Sequence, residues 1–141
     1  MVQKRPDRTL GPGHDQFWQG CNESELHLQR CKVCGALTWP AANACANCGG
    51  TSLSWERMSG RGTLYSWCTF YQDYYRAALP LPWDTILVEL EEGPLFVANP
   101  HGFSLDDARV GLPVKLAFIA CEDSAGPFNL PVFELAEVAP A

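Results

Sequence analysis

Four cysteines stand in the pattern C-x2-C-x10-C-x2-C within "RCKVCGALTWPAANACANCGG": Cys31, Cys34, Cys45 and Cys48. Two residues between paired cysteines let a tight turn aim both sulfurs at one ion, while the backbone N–H groups of the turn point at the thiolates. A glycine follows each pair, Gly35 and Gly49, where the chain must leave the turn and positive φ is tolerated. Two such knuckles make a tetrahedral set of four sulfurs, suited to zinc and also able to hold iron. Four thiolates fill the coordination sphere and leave no position for water or substrate, so the ion is structural. Metal binding of this kind contributes on the order of 10 kcal/mol to the folding of a small ribbon. A redox dithiol is the competing chemistry, but two matched pairs with matched glycines favour one shared ion.

The remaining nucleophiles do not form a recognisable constellation. Covalent acyl-transfer chemistry needs a nucleophilic cysteine or serine, a histidine base and an oxyanion site in one geometry. The thiols left are Cys21, Cys68 and Cys121, and the histidines are His14, His27 and His101. Cys68 alternates with core positions on its strand and is expected to be a buried, inert thiol. Cys121 closes a strand, Cys21 lies beside a helix end, and His101 in "NPHG" reads as a turn residue. The isolated chain therefore reads as non-catalytic. An odd number of leftover thiols, with no secretory signal in view, fits a reducing cytoplasm.

Charge excludes a further class. Of the ten Lys and Arg residues, three lie in the first eight positions; beyond residue 8, seven basic side chains face fifteen acidic ones. Nucleic-acid binders draw much of their affinity from neutralising phosphates, so this balance argues against a broad nucleic-acid surface. No run of 18 apolar residues is available to cross a bilayer.

The stretch "WCTFYQDYYRAALPLPW", residues 67 to 83, holds six aromatics and a single cation, Arg76. Stacking on bases would call for more positive charge among them. Interface centres, by contrast, are enriched in aromatics and depleted in charge. Tyr71, Tyr74, Tyr75, Arg76 and Trp83 are therefore expected to face a partner or a ligand.

These residues must be positioned by a small set of elements. Residues 1–13 read as a disordered tail. Residues 14–30 read as a helical arm, with "DQFWQG" a short helix capped by Asp15, ended or kinked by Gly20, and anchored by Phe17 and Trp18. Those two rings either pack on the ribbon or dock on a partner. Residues 31–58 form the zinc ribbon. From 59 to 141, short alternating segments separated by turn signals predict a five-stranded antiparallel barrel of the OB type. In its first strand, Cys68 and Phe70 are assigned to the core, and Tyr65, Trp67 and Tyr71 to the opposite face. "SLDDARVG" predicts one helical turn begun by Ser104. The fold class is mainly β: an N-terminal helix, a rubredoxin-like four-cysteine ribbon and a C-terminal OB-fold.

This order of parts resembles a specific family, the small zinc-ribbon/OB-fold proteins associated with acyl-CoA metabolism, long catalogued as a domain of unknown function. The resemblance runs from about Phe17 to Leu135 and is carried by "FWQG", "LQRCKVCG", "CANCGG", "GRGTLYSWCTF", "VELEEGPLFVAN" and "DARVGLPVKLAF". It implies an accessory subunit of a thiolase-like enzyme of the lipid-transfer-protein type. Such enzymes make or break carbon–carbon bonds of CoA thioesters, for instance in steroid side-chain or aromatic degradation. It also implies an α2β2 heterotetramer, a catalytic cysteine that belongs to the larger partner, and a barrel that helps bind or channel the thioester.

A CoA ligand would require cations for its phosphates, and Arg61, Arg76, Arg109 and Lys115 are the cations on or beside the barrel. His101 and Arg109 join the aromatic residues as candidate partner-facing or CoA-facing positions. Two other functions remain open at this point: a stand-alone CoA-binding protein, and a single-stranded nucleic-acid module.

Overall fold

The computed structural model describes residues 2–73 and 79–136. Tyr74, Tyr75 and Arg76 lie outside the described residues. Among the described residues nine strands and one α-helix follow in the order β1 (Gln3–Lys4), α1 (Asp15–Asn22), β2 (His27–Cys31), β3 (Leu37–Thr38), β4 (Leu53–Arg57), β5 (Arg61–Phe70), β6 (Trp83–Leu90), β7 (Leu95–Ala98), β8 (Pro113–Asp123) and β9 (Gly126–Leu135). Between β7 and β8, Leu105–Asp107 makes a 3-10 turn whose start is capped, as predicted, by the Ser104 hydroxyl accepting from the Asp106 N–H at 3.1 Å.

Two sheets result. The ribbon sheet has the order β3-β2-β4. Its first strand begins at His27, so the last residues of the expected arm belong to the ribbon instead. In the larger sheet β7 pairs with β6, β6 with β5, β5 with β8, and β8 with β9, all antiparallel. A bridge between Pro100 and Phe133 brings the end of β7 back to β9, with the Phe133 N–H donating to the Asn99 carbonyl at 3.2 Å. Burial alternates along the end of β6 and along β7, whereas β9 buries Pro131, Val132 and Phe133 in succession. Ile86, Val88 and Leu90 are buried as their spacing predicts, against Leu64, Phe96, Val114 and Phe133. The same core continues into α1 and the ribbon through Phe17, Cys21, Leu26 and Leu28. Helix, ribbon and barrel therefore share one interior.

Gly62 shows how tightly β5 approaches β6. A Cβ there would lie 2.6 Å from the Glu89 carbonyl oxygen and 2.7 Å from Val88 Cγ1. Only glycine fits the approach.

Several expectations are corrected. The tail is ordered: β1 pairs parallel with β8 at Gln3–Cys121 and Lys4–Glu122. Arg8 then grips Asp123 through two guanidinium contacts at 2.6 and 3.1 Å, with its backbone N–H on the same carboxylate at 3.0 Å. The Arg8 guanidinium also stacks over Phe128 at 4.1 Å and Trp18 at 5.4 Å. A sequence rule that treats a polar, Pro-containing start as solvent-bound misses partners more than a hundred residues away.

Asp15 is the first helical residue rather than the cap. His14 holds the cap position without a side-chain bond, and the Asp15 carboxylate accepts from the Gly11 N–H at 2.9 Å. Gly20 neither ends nor kinks α1, which runs on to Asn22. It sits where a Cβ would press on the His27 ring at 3.0 Å.

The faces of β5 also differ from the alternation read in the sequence. Leu64 pairs with Val88 and Ser66 with Leu87, so Tyr65 is an extra, bulged residue. A bulge of one residue exchanges the two faces downstream of it. Trp67 then pairs with Ile86, and Ser66, Cys68 and Phe70 with Leu87, Thr85 and Trp83, while every residue from Tyr65 to Cys68 is exposed. Cys68 is exposed, not buried as expected.

The Arg8–Asp123 pair has side chains only 9% and 1% exposed. Bonding to Arg8 holds the Asp123 carboxyl well below the usual carboxylate range. Asp123→Asn should cost about 1–3 kcal/mol at neutral pH, since it leaves a buried guanidinium incompletely paired. A depressed native pKa contributes stability that is complete above the unfolded value of about 4 and is lost as pH falls through the native one. The gap between wild type and variant in urea titrations should therefore be constant from pH 7 to 5 and shrink in stronger acid.

Candidate metal centre and adjoining grooves

The two cysteine turns repeat each other bond for bond. In the first, the Gly35 N–H donates to the Cys31 carbonyl at 2.9 Å and the Cys31 N–H to the Ala36 carbonyl at 2.8 Å. In the second, the Gly49 N–H donates to Cys45 at 2.9 Å and the Cys45 N–H to Gly50 at 2.8 Å. Gly35 and Gly49 adopt φ of 79° and 76°, a left-handed conformation that favours glycine. Both turns aim N–H groups at sulfur. Val33 and Cys34 donate to Cys31 Sγ at 3.4 and 3.5 Å, and Asn47 and Cys48 donate to Cys45 Sγ at 3.3 and 3.5 Å.

The four Sγ atoms lie within 4.8 Å of one another, with Cys31–Cys48 and Cys34–Cys45 both at 3.6 Å. The Asn47 side-chain amide at 3.5 Å and the Ala36 backbone pull the Cys34 thiol down to about 6. At Cys48 the Gly50 N–H also pulls downward, but the neighbouring sulfurs of Cys31 and Cys34 push harder, to about 12. A divalent cation relieves that crowding, and the donor set fits zinc in a closed tetrahedral site. It leaves no open ligand position for chemistry.

The buried thiols Cys21 and Cys121 are poorly placed to react. Burial pushes Cys21 up to about 12 and also raises Cys121. Among the described residues no thiol is hydrogen-bonded to a histidine; His27 instead bonds Glu25 at 2.9 Å.

Beside the ribbon lies an apolar groove of about 520 Å³, walled by α1, the chain after β3, the outer ends of β5 and β6, β7 and β9. It gathers three of the candidate contact residues, though not as a protruding arm. Phe17 is 4% exposed and packs on Trp39 at 4.7 Å and Phe96 at 6.4 Å. It belongs to the core, and it reaches the groove only as part of its wall. Trp18 is half-buried against Phe128, with its indole N–H on the Thr9 carbonyl at 3.2 Å. Trp83 stacks on Phe70 at 4.8 Å and 19°.

A smaller hollow of about 230 Å³ continues past Trp83 to His101. Tyr71 is 77% exposed. Arg109 is exposed in the turn before β8 and lines neither space. Trp39, Phe96 and Asn99 also line the groove and were missed, because each reads as an ordinary strand or turn residue. Arg5 was missed because it lay in the presumed tail.

Of the cations considered for phosphate, Arg61 and Lys115 stand opposite each other on β5 and β8. They share a groove of about 450 Å³ with Arg57. Each holds a carboxylate: Arg57 has Glu25 at 3.2 Å, Arg61 has Glu91 at 3.3 Å and Lys115 has Glu134 at 3.6 Å. Among the described residues no helix is long and apolar enough to cross a membrane.

Fold and metal centre together define a zinc-ribbon/OB-fold protein. The family model described as "ChsH2, rubredoxin-like zinc ribbon domain" matches residues 18–54, and that described as "ChsH2, C-terminal OB-fold domain" matches residues 55–118. The chain belongs to this ChsH2-type family. It is 32% identical over 131 residues to a probable enoyl-CoA hydratase alpha subunit of Thermomonospora curvata, which covers 92% of this chain and 39% of the relative. It is 28% identical over 122 residues to the 3-oxo-4,17-pregnadiene-20-carboxyl-CoA hydratase alpha subunit of Mycobacterium tuberculosis, covering 84% and 39%. The chain thus spans about two-fifths of the length of these curated relatives. Among solved structures, a chain of an "Ltp2-ChsH2(DUF35) aldolase" superposes with a TM-score of 0.78 at 28% identity, covering 93% of this chain and 100% of that one.

Cys45→Ser should abolish stoichiometric zinc, measured by a chromogenic chelator on unfolded protein. Asn47→Ala removes only the amide that supports Cys34, and should weaken zinc retention against a competing chelator by about 10-fold or more.

Proposed function

We propose that this chain is a non-catalytic accessory subunit of an acyl-CoA-acting enzyme. It would hold a thiolase-like partner of the lipid-transfer-protein type and form part of the path taken by the CoA thioester. The observation that carries the reading is the likeness over nearly the whole chain to a component of an Ltp2-ChsH2 aldolase. A second consideration points the same way. Relatives of this domain are named as hydratase subunits and as an aldolase, so the shared domain does not set the reaction. Among the described residues the one cluster of metal-ligating side chains is a closed site.

The partner surface in this reading is the aromatic stretch that includes Tyr71, Tyr75 and Trp83. Tyr71 and Cys68 are already exposed on β5 or just beyond it, and the outward side chains of β7 extend the same apolar character. Desolvating such rings at an interface contributes more than any exposed charge pair. An α2β2 assembly, a steroid-like or aromatic acyl group and a cytoplasmic location belong to the same proposal.

Co-expression with a thiolase-like protein should yield a complex of defined mass that cleaves or condenses an acyl-CoA, while this chain alone is inactive. Tyr75→Ala and Trp83→Ala should weaken that complex about 10-fold or more and leave zinc content unchanged. Turnover of an acyl-CoA by the isolated chain would overturn the proposal.

The groove bearing Arg57, Arg61 and Lys115 favours a second reading, a CoA-binding protein that needs no enzyme partner. Calorimetry with CoA on the chain alone separates the two.

A further inference from the structure

The apolar groove beside the ribbon has features that packing alone does not require. Its walls are rings on two sides. Phe17, Trp39 and Phe96 lie within 4.7 to 6.4 Å of one another on one side, and the stacked Phe70–Trp83 pair lies on the other. Ring walls favour a flat occupant, which can stack against them or meet them edge to face. The volume of about 520 Å³ falls in the range of small-molecule sites.

Thr85 also lines this groove, and its hydroxyl is buried without a hydrogen-bond partner. It is the one such hydroxyl among the described residues. A buried polar group left unpaired costs free energy. Its methyl and hydroxyl share one Cβ, so contact with a ligand would require a change of χ1 rotamer that brings the hydroxyl to the groove.

The rim also carries charge. Arg5 is engaged with the Asn99 carboxamide at 3.3 Å, and Asn99 donates in turn to the Asp84 carbonyl at 2.7 Å. Arg8, next along the chain, is committed to Asp123. Among the described residues Arg5 and His14 line this groove, whereas Arg57, Arg61 and Lys115 line the separate one.

We propose that the groove walled by α1, Trp39 and β7 binds a flat ring body bearing a single hydrogen-bonding oxygen, with Thr85 as the polar contact. The proposal rests on the accessory-subunit reading only for the source of that ligand, the acyl portion of a thioester; the binding itself does not depend on a partner enzyme.

The test uses the full chain and three probes, followed by quenching of tryptophan fluorescence: 2-acetylnaphthalene, naphthalene and adenosine. Acetylnaphthalene should bind more tightly than naphthalene, and adenosine should not compete. Thr85→Val should cut affinity for the ketone about five- to tenfold, the worth of one hydrogen bond, and leave naphthalene unchanged. The same variant should melt at least as high as wild type, because the hydroxyl it removes has no partner. Val97→Arg, at a groove residue 62% exposed and so tolerant of the change, should weaken both hydrocarbon probes.

Equal binding of the ketone by wild type and Thr85→Val, a lower melting point for that variant, preferential binding of adenosine, or an unaffected Val97→Arg would each overturn the inference. A chain that binds the ketone as described but never assembles with a thiolase-like protein leaves this inference standing and removes the accessory-subunit reading.

Discussion

Repulsion among four sulfurs crowded within 4.8 Å is the constraint on which this protein turns. The residues from Cys31 to Gly50 include almost no regular pairing beyond the two-residue β3, and they cannot build a core of their own. The four cysteines are placed so that one shared cation could fix them. That fixation reaches well past the ribbon, because Trp39 sits between the two knuckles and packs at 4.7 Å on Phe17 and 4.9 Å on Phe96. One ring thereby ties the metal centre to the helix and the barrel, and the wall of the apolar groove is set by metal chemistry some residues away.

The contrast between the two grooves follows from where charge is spent. The barrel's cations near β5 and β8 are spread over a polar hollow and share themselves with glutamates. At the apolar groove the nearby arginines are consumed by structure: one staples the N-terminal strand to β8, the other braces Asn99. Arg8 is engaged by Asp123, while Arg5, bonded to Asn99, itself lines the aromatic groove. A ligand with a charged head and a neutral body would find its two preferences in different places.

The sequence was informative wherever the cause was local. Cysteine spacing with paired glycines led to the metal centre, period-two runs led to Ile86, Val88 and Leu90 in the core, and Ser104 led to the 3-10 turn. It failed where the cause was distant or was a single residue out of step. Arg8 has no local sign that its partner is Asp123. Asp15 looks like a cap because its type is right, yet the turn at Gly11 takes its carboxylate. Cys68 and Phe70 were assigned to the core because alternation was counted straight through Tyr65. Of the candidate contact residues, Trp18 and Trp83 do meet the groove, Phe17 is absorbed into the core, and Arg109 stands apart from both.

That bulge has a consequence for changes of chain length. Leu64 already faces Val88 and Ser66 already faces Leu87, so losing Tyr65 would leave every flanking pair intact and remove only the extra twist that a bulge provides. One residue lost or gained elsewhere in β5 would instead turn the strand over, swapping the face of Trp67 with that of Cys68 and Phe70. Position 65 is therefore the one joint in the strand where insertions and deletions can be absorbed without exchanging its inside for its outside.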